Sequence, residues 1–337
     1  MTARLRVAVL AGGRSSEHEI SLASARSVVE ALDPDRYETQ TIEIGRDGAW
    51  ALPPAAGSAA LAGAGGALPI PTAAAPSALG AVDVVFPILH GPFGEDGTVQ
   101  GLLELAGVPY VGSGVAASAL CMDKDLFKAV LRDRGIPVAR SITLRPGAAT
   151  ENPFGYPVFV KPARLGSSVG ISKARNPAEL DAAVALAFRH DDKVLVEEFQ
   201  PGVEVEVGVL GNRDPIASVV GEILANADWY DFDAKYAEGG MELIVPARLP
   251  AETTEQVQQL AIASFVATDC EGMARVDFFV RPDGEVVVNE LNTIPGFTAT
   301  SVYANLFAAS GIPYAALLDR LVELAIERHE HRTALAF

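Results

Sequence analysis

"ARVDFFVRPDGEVVVNELNTIPG", residues 274–296, decides how this 337-residue chain is read. Two runs rich in valine and phenylalanine flank Pro282-Asp283-Gly284, a turn signal between strands. Side chains alternate faces along a strand, so Arg275 and Asp277 share one face while Ala274, Val276 and Phe278 share the other. By the same rule Val286, Val288, Glu290 and Asn292 are co-facial. If the two runs pair as a hairpin, Asp277, Glu290 and Asn292 converge. Three oxygen donors, two of them anionic, suit a hard divalent cation such as Mg²⁺ that also takes oxygens from a nucleotide's phosphates. The competing readings are a purely structural Arg275–Asp277 salt bridge and a solvated strand tip at Glu290.

Upstream, "VFVKPARLGSSVG" (158–170) delivers Lys161 from an apolar strand into a loop holding Gly166, Ser167, Ser168 and Gly170. Glycines let backbone N–H groups approach a phosphate, hydroxyls add donors, and the lysine adds charge. The lysine precedes the glycines, so this is no Walker A loop; an ordinary hairpin with a flexible tip is the alternative. "VLVEEFQPGVEVEVGVL" (194–210) sets Glu197, Glu198 and Glu204 around a Pro-Gly turn. Such a strand edge can read an adenine while a carboxylate accepts from ribose hydroxyls, although a solvated acidic hairpin would look the same.

Lys124 opens a helix after Met122, and Lys235 sits in "ADWYDFDAKYAEGG" (227–240). That aromatic, acidic stretch lacks periodicity and reads either as a lid or as a loop packing its own aromatics. Glu17 in "AGGRSSEHEIS" (11–21) and His90 in "FPILHGPFGEDG" (86–97) each follow a strand. Ligands of open α/β sheets bind at such strand ends. Taken alone, His90 would be a satisfied structural histidine.

A prior of ~100–200 residues per domain suggests two or three domains. Strands at 6–13, 37–44 and 82–91 alternate with helices at 15–32 and 96–107, the first helix having Ser16 and Glu19 spaced as a capping box. That alternation predicts a parallel α/β sheet covered on both faces. Residues 51–80, mostly Ala, Gly and Pro, read as a surface excursion without chemistry. From Met122 onward the strands lose strict alternation, which suggests α+β subdomains. With 26 basic and 43 acidic residues, the net charge of −17 disfavours nucleic acid and anionic membranes as partners. Cys121 and Cys270 lack metal-ligand spacing, no apolar run is long enough to span a membrane, and no signal-peptide cleavage site follows the first strand. A soluble, reduced, cytoplasmic setting is expected.

Seven stretches occur in a telling order: AGGRSSEHEIS, the HG–EDGTVQG segment, GSGVAASALCMDK, VKPARLGSSVG, the DAKY loop, ARVDFF and NELNTIPGFTATSVY. Together they resemble the D-alanine–D-alanine ligases, ATP-grasp enzymes of peptidoglycan synthesis, over nearly the whole chain. The resemblance implies a Rossmann-like N-terminal α/β domain (1–121) and a two-part ATP-grasp fold. The latter divides into a central subdomain (122–207) and a C-terminal subdomain (208–337) with a lid at 225–240. It implies that Lys124, Lys161 and Lys235 bind ATP phosphates and that Gly166, Ser167 and Ser168 form the phosphate loop. Glu197, Glu198, Phe199 and Glu204 would hold adenosine, while Asp277, Glu290 and Asn292 would hold two Mg²⁺ or Mn²⁺ ions. Glu17 and His90 would serve the first D-alanine. Ser301 and Val302 would serve the second, with Arg275 and the Gly296 N–H as oxyanion donors and Tyr236 and Ser167 completing a network to Glu17. Val302 and Ala304 depart from the residues common in relatives, leaving the shape of the second amino-acid pocket open. A homodimer through the N-terminal domain is also implied. The alternatives are a ligase joining D-alanine to D-lactate or D-serine, against which the Lys235-Tyr236 pair argues, and a nucleotide-binding protein without ligase activity.

Overall fold

A computed structural model describes residues 3–51, 82–225 and 241–336 of the chain. The excursion expected at 51–80 therefore lies almost wholly outside the described residues, as does the lid with Lys235 and Tyr236. The first sheet comprises β1 (Leu5–Gly12), β2 (Tyr37–Ile44), β3 (Trp50–Ala51) and β4 (Val84–Pro87), in the order β3-β2-β1-β4. β1 runs parallel to β2 and β4, but β3 is a two-residue antiparallel edge, so the sheet is not purely parallel. Residues 7–11 are wholly buried because both faces are covered. Val7 and Val9 enter one core cluster and Ala8 and Leu10 another.

Helix α1 (His18–Ala31) follows β1, and α2 (Thr98–Ala106) follows β4. The capping box expected at Ser16 and Glu19 does not form. The N-cap position is Glu17, which makes no side-chain cap bond, since its carboxylate accepts from the Ser167 hydroxyl instead. Met122 ends one helix, α3 (Val115–Met122), and the helix that Lys124 was expected to open after it is a separate one, α4 (Lys124–Asp133). Asp123 separates them in an extended conformation and caps α4 by accepting from the Asp125 and Leu126 N–H groups.

A second, antiparallel sheet contains β5 (Ser141–Leu144), β6 (Val158–Pro162), β7 (Ser172–Ala174) and, after α5 (Pro177–Ala187), β8 (Val194–Glu198). Its order is β5-β8-β6-β7. The third sheet is antiparallel too: β9 (Val203–Gly211), β10 (Ile216–Ala225), β11 (Met241–Ile244), β12 (Gly272–Val280) and β13 (Val286–Asn292). Here the order is β11-β10-β9-β12-β13, so the hairpin expected about Pro282-Asp283-Gly284 sits at one edge. Val205, Val207, Val209, Val276 and Phe278 share a core with Val257, Ala261 and Phe265 of α6 (Ala251–Ala267).

The opposite face is left for polar side chains at one end and for α7 (Val302–Ala309) at the other. Gly208 permits that packing, because an added Cβ would stand 2.6 Å from the Phe307 ring. The last helix, α8 (Tyr314–Thr333), sends Leu317, Leu318, Leu321 and Val322 into the core of Val7, Val9 and Phe86. Its buried Arg328 donates to the carbonyls of Tyr110 and Gly112 and lies 4.1 Å from the centre of the Tyr110 ring. No helix among the described residues is long and apolar enough to cross a membrane.

Phe297 is fully buried where these parts meet, with ring centres 5.7 Å from Phe86, 5.7 Å from Tyr303 and 5.8 Å from Tyr314. Truncation there leaves a cavity bounded by rings that cannot collapse far. Phe297→Ala is expected to lower unfolding free energy by ~3–5 kcal/mol in urea titrations, and Phe297→Leu by clearly less.

Candidate active site

Two cavities lie on the polar side of the hairpin. The first, about 400 Å³, is walled by the second and third sheets. Lys161 ends β6 in it, and its Nζ donates to Glu197 Oε1 at 2.6 Å. Lys128, from α4, stands 3.0 Å from Glu197 Oε2. Burial pushes the Glu197 carboxyl up, yet the two lysines outweigh it and hold the group at about 2. Lys124 Nζ donates to the Leu165 carbonyl at 2.6 Å and lies 3.7 Å from Glu290 Oε2. Glu198 instead takes a two-point salt bridge from the exposed Arg140, an interaction of small energy at a surface. Phe199 stacks near Phe159, ring centres 6.2 Å apart, with Lys173 Nζ 4.5 Å above the Phe199 ring. Glu204 lines the same cavity from β9.

The second cavity, about 440 Å³, gathers Glu17, His90, Arg275, Asn292, Gly296, Ser301 and Val302. The two cavities share Gly166, Ser167 and Glu290. The shared loop is unusual in its backbone: Ser167 and Ser168 adopt φ of 51° and 58°, left-handed values rare for residues with a Cβ. Such conformations cost of order 1 kcal/mol each and cluster at ligand clamps. Ser301 precedes α7, and its Oγ accepts from the Thr298 N–H at 2.9 Å. A carboxylate beside Ser301 would face a helix N-terminus, which favours anions.

Strand register places the charged trio. A one-residue register shift between Asp277 and Phe278 sets Asp277 directly opposite Glu290 and Arg275 opposite Asn292. The expected single face of Val286, Val288, Glu290 and Asn292 is therefore split: the valines enter the core and the polar pair faces the cavities. Arg275 forms the salt bridge with Asp277 through two bonds of 2.7 Å, while the Asn292 amide donates to Asp277 Oδ2 at 3.2 Å. Glu206, opposite Asp277 on the other side, lies 3.0 Å from Arg275 Nε. Two carboxylates and an amide are oxygen donors of the kind Mg²⁺ takes, so the residues fit such an ion by chemistry. No group of three or more His, Cys, Asp or Glu suited to a metal occurs among the described residues.

His90 and Glu95 tie the first sheet to the segment after β13. His90 Nδ1 is 3.0 Å from the Ile294 carbonyl, which can only accept, so Nδ1 carries the proton. Burial favours the neutral ring, although Glu17 opposes this. Nε2 is therefore a lone pair, with no hydrogen-bond partner among the described residues. Glu95 accepts from the Gly91 N–H at 2.7 Å and the Ile294 N–H at 3.0 Å. Neither Lys128 nor Glu206 stands out in the sequence, and Glu95 does so only as a residue that follows a strand together with His90. Lys128 is four residues after Lys124 on one helix face, and Glu206 two after Glu204 on one strand face. Those spacings were the available signals.

The sequence signature described as "D-ala D-ala ligase N-terminus" matches residues 6–113, and the one described as "D-ala D-ala ligase C-terminus" matches 130–323. A D-alanine–D-alanine ligase of Deinococcus radiodurans is 52% identical, over 96% of this chain and 98% of that protein. Among solved structures, the VanG D-Ala:D-Ser ligase of Enterococcus faecalis has a TM-score of 0.83 at 37% identity, covering 96% of this chain and 100% of the other. A D-alanine–D-alanine ligase of Bacillus anthracis, complexed with ATP, has a TM-score of 0.79 at 28% identity, covering 97% and 99%.

The environment of Glu95 makes a pH prediction. Burial and the Glu17 charge push its carboxyl from 4.5 up to about 8, against the two N–H bonds that favour the anion. Between those values the folded protein keeps a proton that the unfolded chain has released, so stability falls as pH rises. Urea titrations between pH ~5 and ~8 are expected to show a decline in the wild type that Glu95→Gln lacks. Parallel pH profiles for the two proteins would contradict it.

Proposed function

The chain belongs to the D-alanine–D-alanine ligase family, and from that membership we propose that it joins two D-alanine molecules using ATP, supplying a peptidoglycan precursor. One observation carries the reading: the two cavities meet at Ser167 and Glu290. A nucleotide in the first would present its terminal phosphate to a carboxylate in the second. The N-terminal part (1–121) would hold the first amino acid, with ATP held between 122–207 and 208–337 as in an ATP-grasp fold.

In this mechanism Glu17 pairs with the ammonium of the first D-alanine, next to the lone pair on His90. The carboxylate of that D-alanine attacks the γ-phosphate, giving an acyl phosphate and ADP. The second D-alanine, its ammonium deprotonated, attacks that carbonyl through its amine; the C–O bond to phosphate breaks, and the departing phosphate can take the amine's excess proton. The first step brings two anions together and the second builds an oxyanion beside a phosphate, so the catalytic work is mainly positioning and charge stabilisation. Lys124, Lys161 and Lys235 would meet the phosphates, and Glu197, Glu198, Phe199 and Glu204 the adenosine. Asp277, Glu290 and Asn292 would hold two Mg²⁺ or Mn²⁺ ions, which when bound neutralise phosphate charge. Arg275 and the Gly296 N–H would steady the tetrahedral oxyanion, while Ser301 and the start of α7 hold the second carboxylate beside Val302. Tyr236 and Ser167 would complete the network on Glu17.

Lys235-Tyr236 supports D-alanine as second substrate, whereas the likeness to the D-Ala:D-Ser ligase supports D-serine. We place the enzyme in the cytoplasm and assign it a homodimer through the N-terminal domain. The test is phosphate release from ATP with D-alanine, D-serine, D-lactate or L-alanine, the products weighed by mass spectrometry. D-Alanyl-D-alanine is the expected product, and turnover with L-alanine alone would overturn the assignment. Arg275→Ala is expected to lower kcat by ~10²–10³, the usual cost of an oxyanion donor.

A further inference from the structure

The mechanism above gives no task to Lys128, nor to Lys173 in the wall of the first cavity, and of the two it is Lys128 that is buried. Its side chain is 1% exposed, in a setting where a lysine ordinarily requires a partner. It pairs as an ion with Glu197 Oε2 at 3.0 Å and donates a hydrogen bond to the Asn289 carbonyl at 3.2 Å. Glu197 is as deeply enclosed, its side chain 2% exposed. The carboxylate thus lies between two lysines that differ in setting. Lys161 also reaches Asn289 Oδ1 at 3.3 Å and lines the first cavity, whereas Lys128 is not part of that wall. One lysine can meet a ligand and the other cannot.

That asymmetry has an electrostatic consequence. If Lys161 turns from Glu197 toward a phosphate, the buried carboxylate loses its nearest cation. A buried charge stripped of its partner is strongly unfavourable. With Glu197 still neutralised from behind, Lys161 is free to move. We propose that Lys128 is a positioning residue: it keeps Glu197 paired and in place while Lys161 engages the phosphates of a bound adenine nucleotide. The inference rests on the reading of the first cavity as an ATP site.

The experiment compares affinities for adenosine and for ADP, by calorimetry without any amino acid, so that it reads phosphate recognition apart from ligation. Wild-type protein is expected to bind ADP much more tightly than adenosine. In Lys128→Met, Lys161 stays on Glu197, so adenosine affinity is largely kept while the preference for ADP falls about tenfold, the scale of one charged hydrogen bond. Lys128→Arg restores most of the preference. An equal loss for both ligands, or no loss, overturns the inference, since a merely structural lysine would not separate them. The double variant Lys128→Met/Glu197→Gln decides the matter even if the single variant does not fold. It removes the buried anion with its counter-charge; both affinities fall, because Glu197 also meets the adenosine, but the ratio of ADP to adenosine affinity is expected near that of the wild type. A tenfold lower preference there overturns the inference too. Failure of the wild type to bind ADP at all would instead sink the ATP-site reading.

Discussion

A slip of one residue between β12 and β9 would turn Arg275 and Asp277 toward the apolar core and bring Val276 out among the charges. The one-residue shift against β13 beside Asp277 is what brings Glu290 to their face. The pairing of Asp277 with Glu290 on one side and Glu206 on the other is therefore the constraint from which the rest of the site follows. It is enforced from the other face. Val276 and Phe278 are wholly buried against α6, so burial of large apolar side chains fixes a register whose polar consequence appears on the opposite side. The core and the chemistry are two faces of one decision.

Concentrating Glu17, Glu197, Glu206, Asp277 and Glu290 around adjoining cavities creates a second problem, mutual repulsion in a poorly solvated region. The chain answers with cations from separate elements: Lys124 and Lys128 from α4, Lys161 from β6, and Arg275 from β12. Desolvation alone would drive Glu197 protonated, yet its lysines win, whereas Glu95 has only backbone N–H donors and is driven the other way. The outcome for each carboxyl depends on whether a full positive charge or only a dipole is its neighbour.

Much of this was legible in the residues, and the boundary of legibility is physical. Period-two alternation separated Arg275 and Asp277 from Val276 and Phe278. Along β13 it grouped Glu290 and Asn292 with the core residues Val286 and Val288, and only the register shift beside Asp277, which no alternation rule announces, brings the polar pair to Asp277. β2, β6 and β8 do begin and end where the pattern said. Less visible were features depending on distant chain. The capping box at Ser16 failed because the residue beside it, Glu17, is engaged by Ser167, 150 positions away. Met122 and Lys124 fell on different helices because Asp123 caps the second. The partnership of Lys128 with Glu197 joins a helix to a strand 69 positions on, and no spacing rule within either element announces it.

The placement of α8 bears on how the molecule is made. Leu317, Leu321 and Val322 complete the same core as Val7 and Val9, and Arg328 fastens that helix to carbonyls at Tyr110 and Gly112. This helix thus closes the core of a sheet that emerges from the ribosome far earlier. Domains generally fold in order of synthesis, but this sheet keeps one apolar flank uncovered until α8 has been made. A stall in translation before α8 would leave that flank available to chaperones or to other nascent chains.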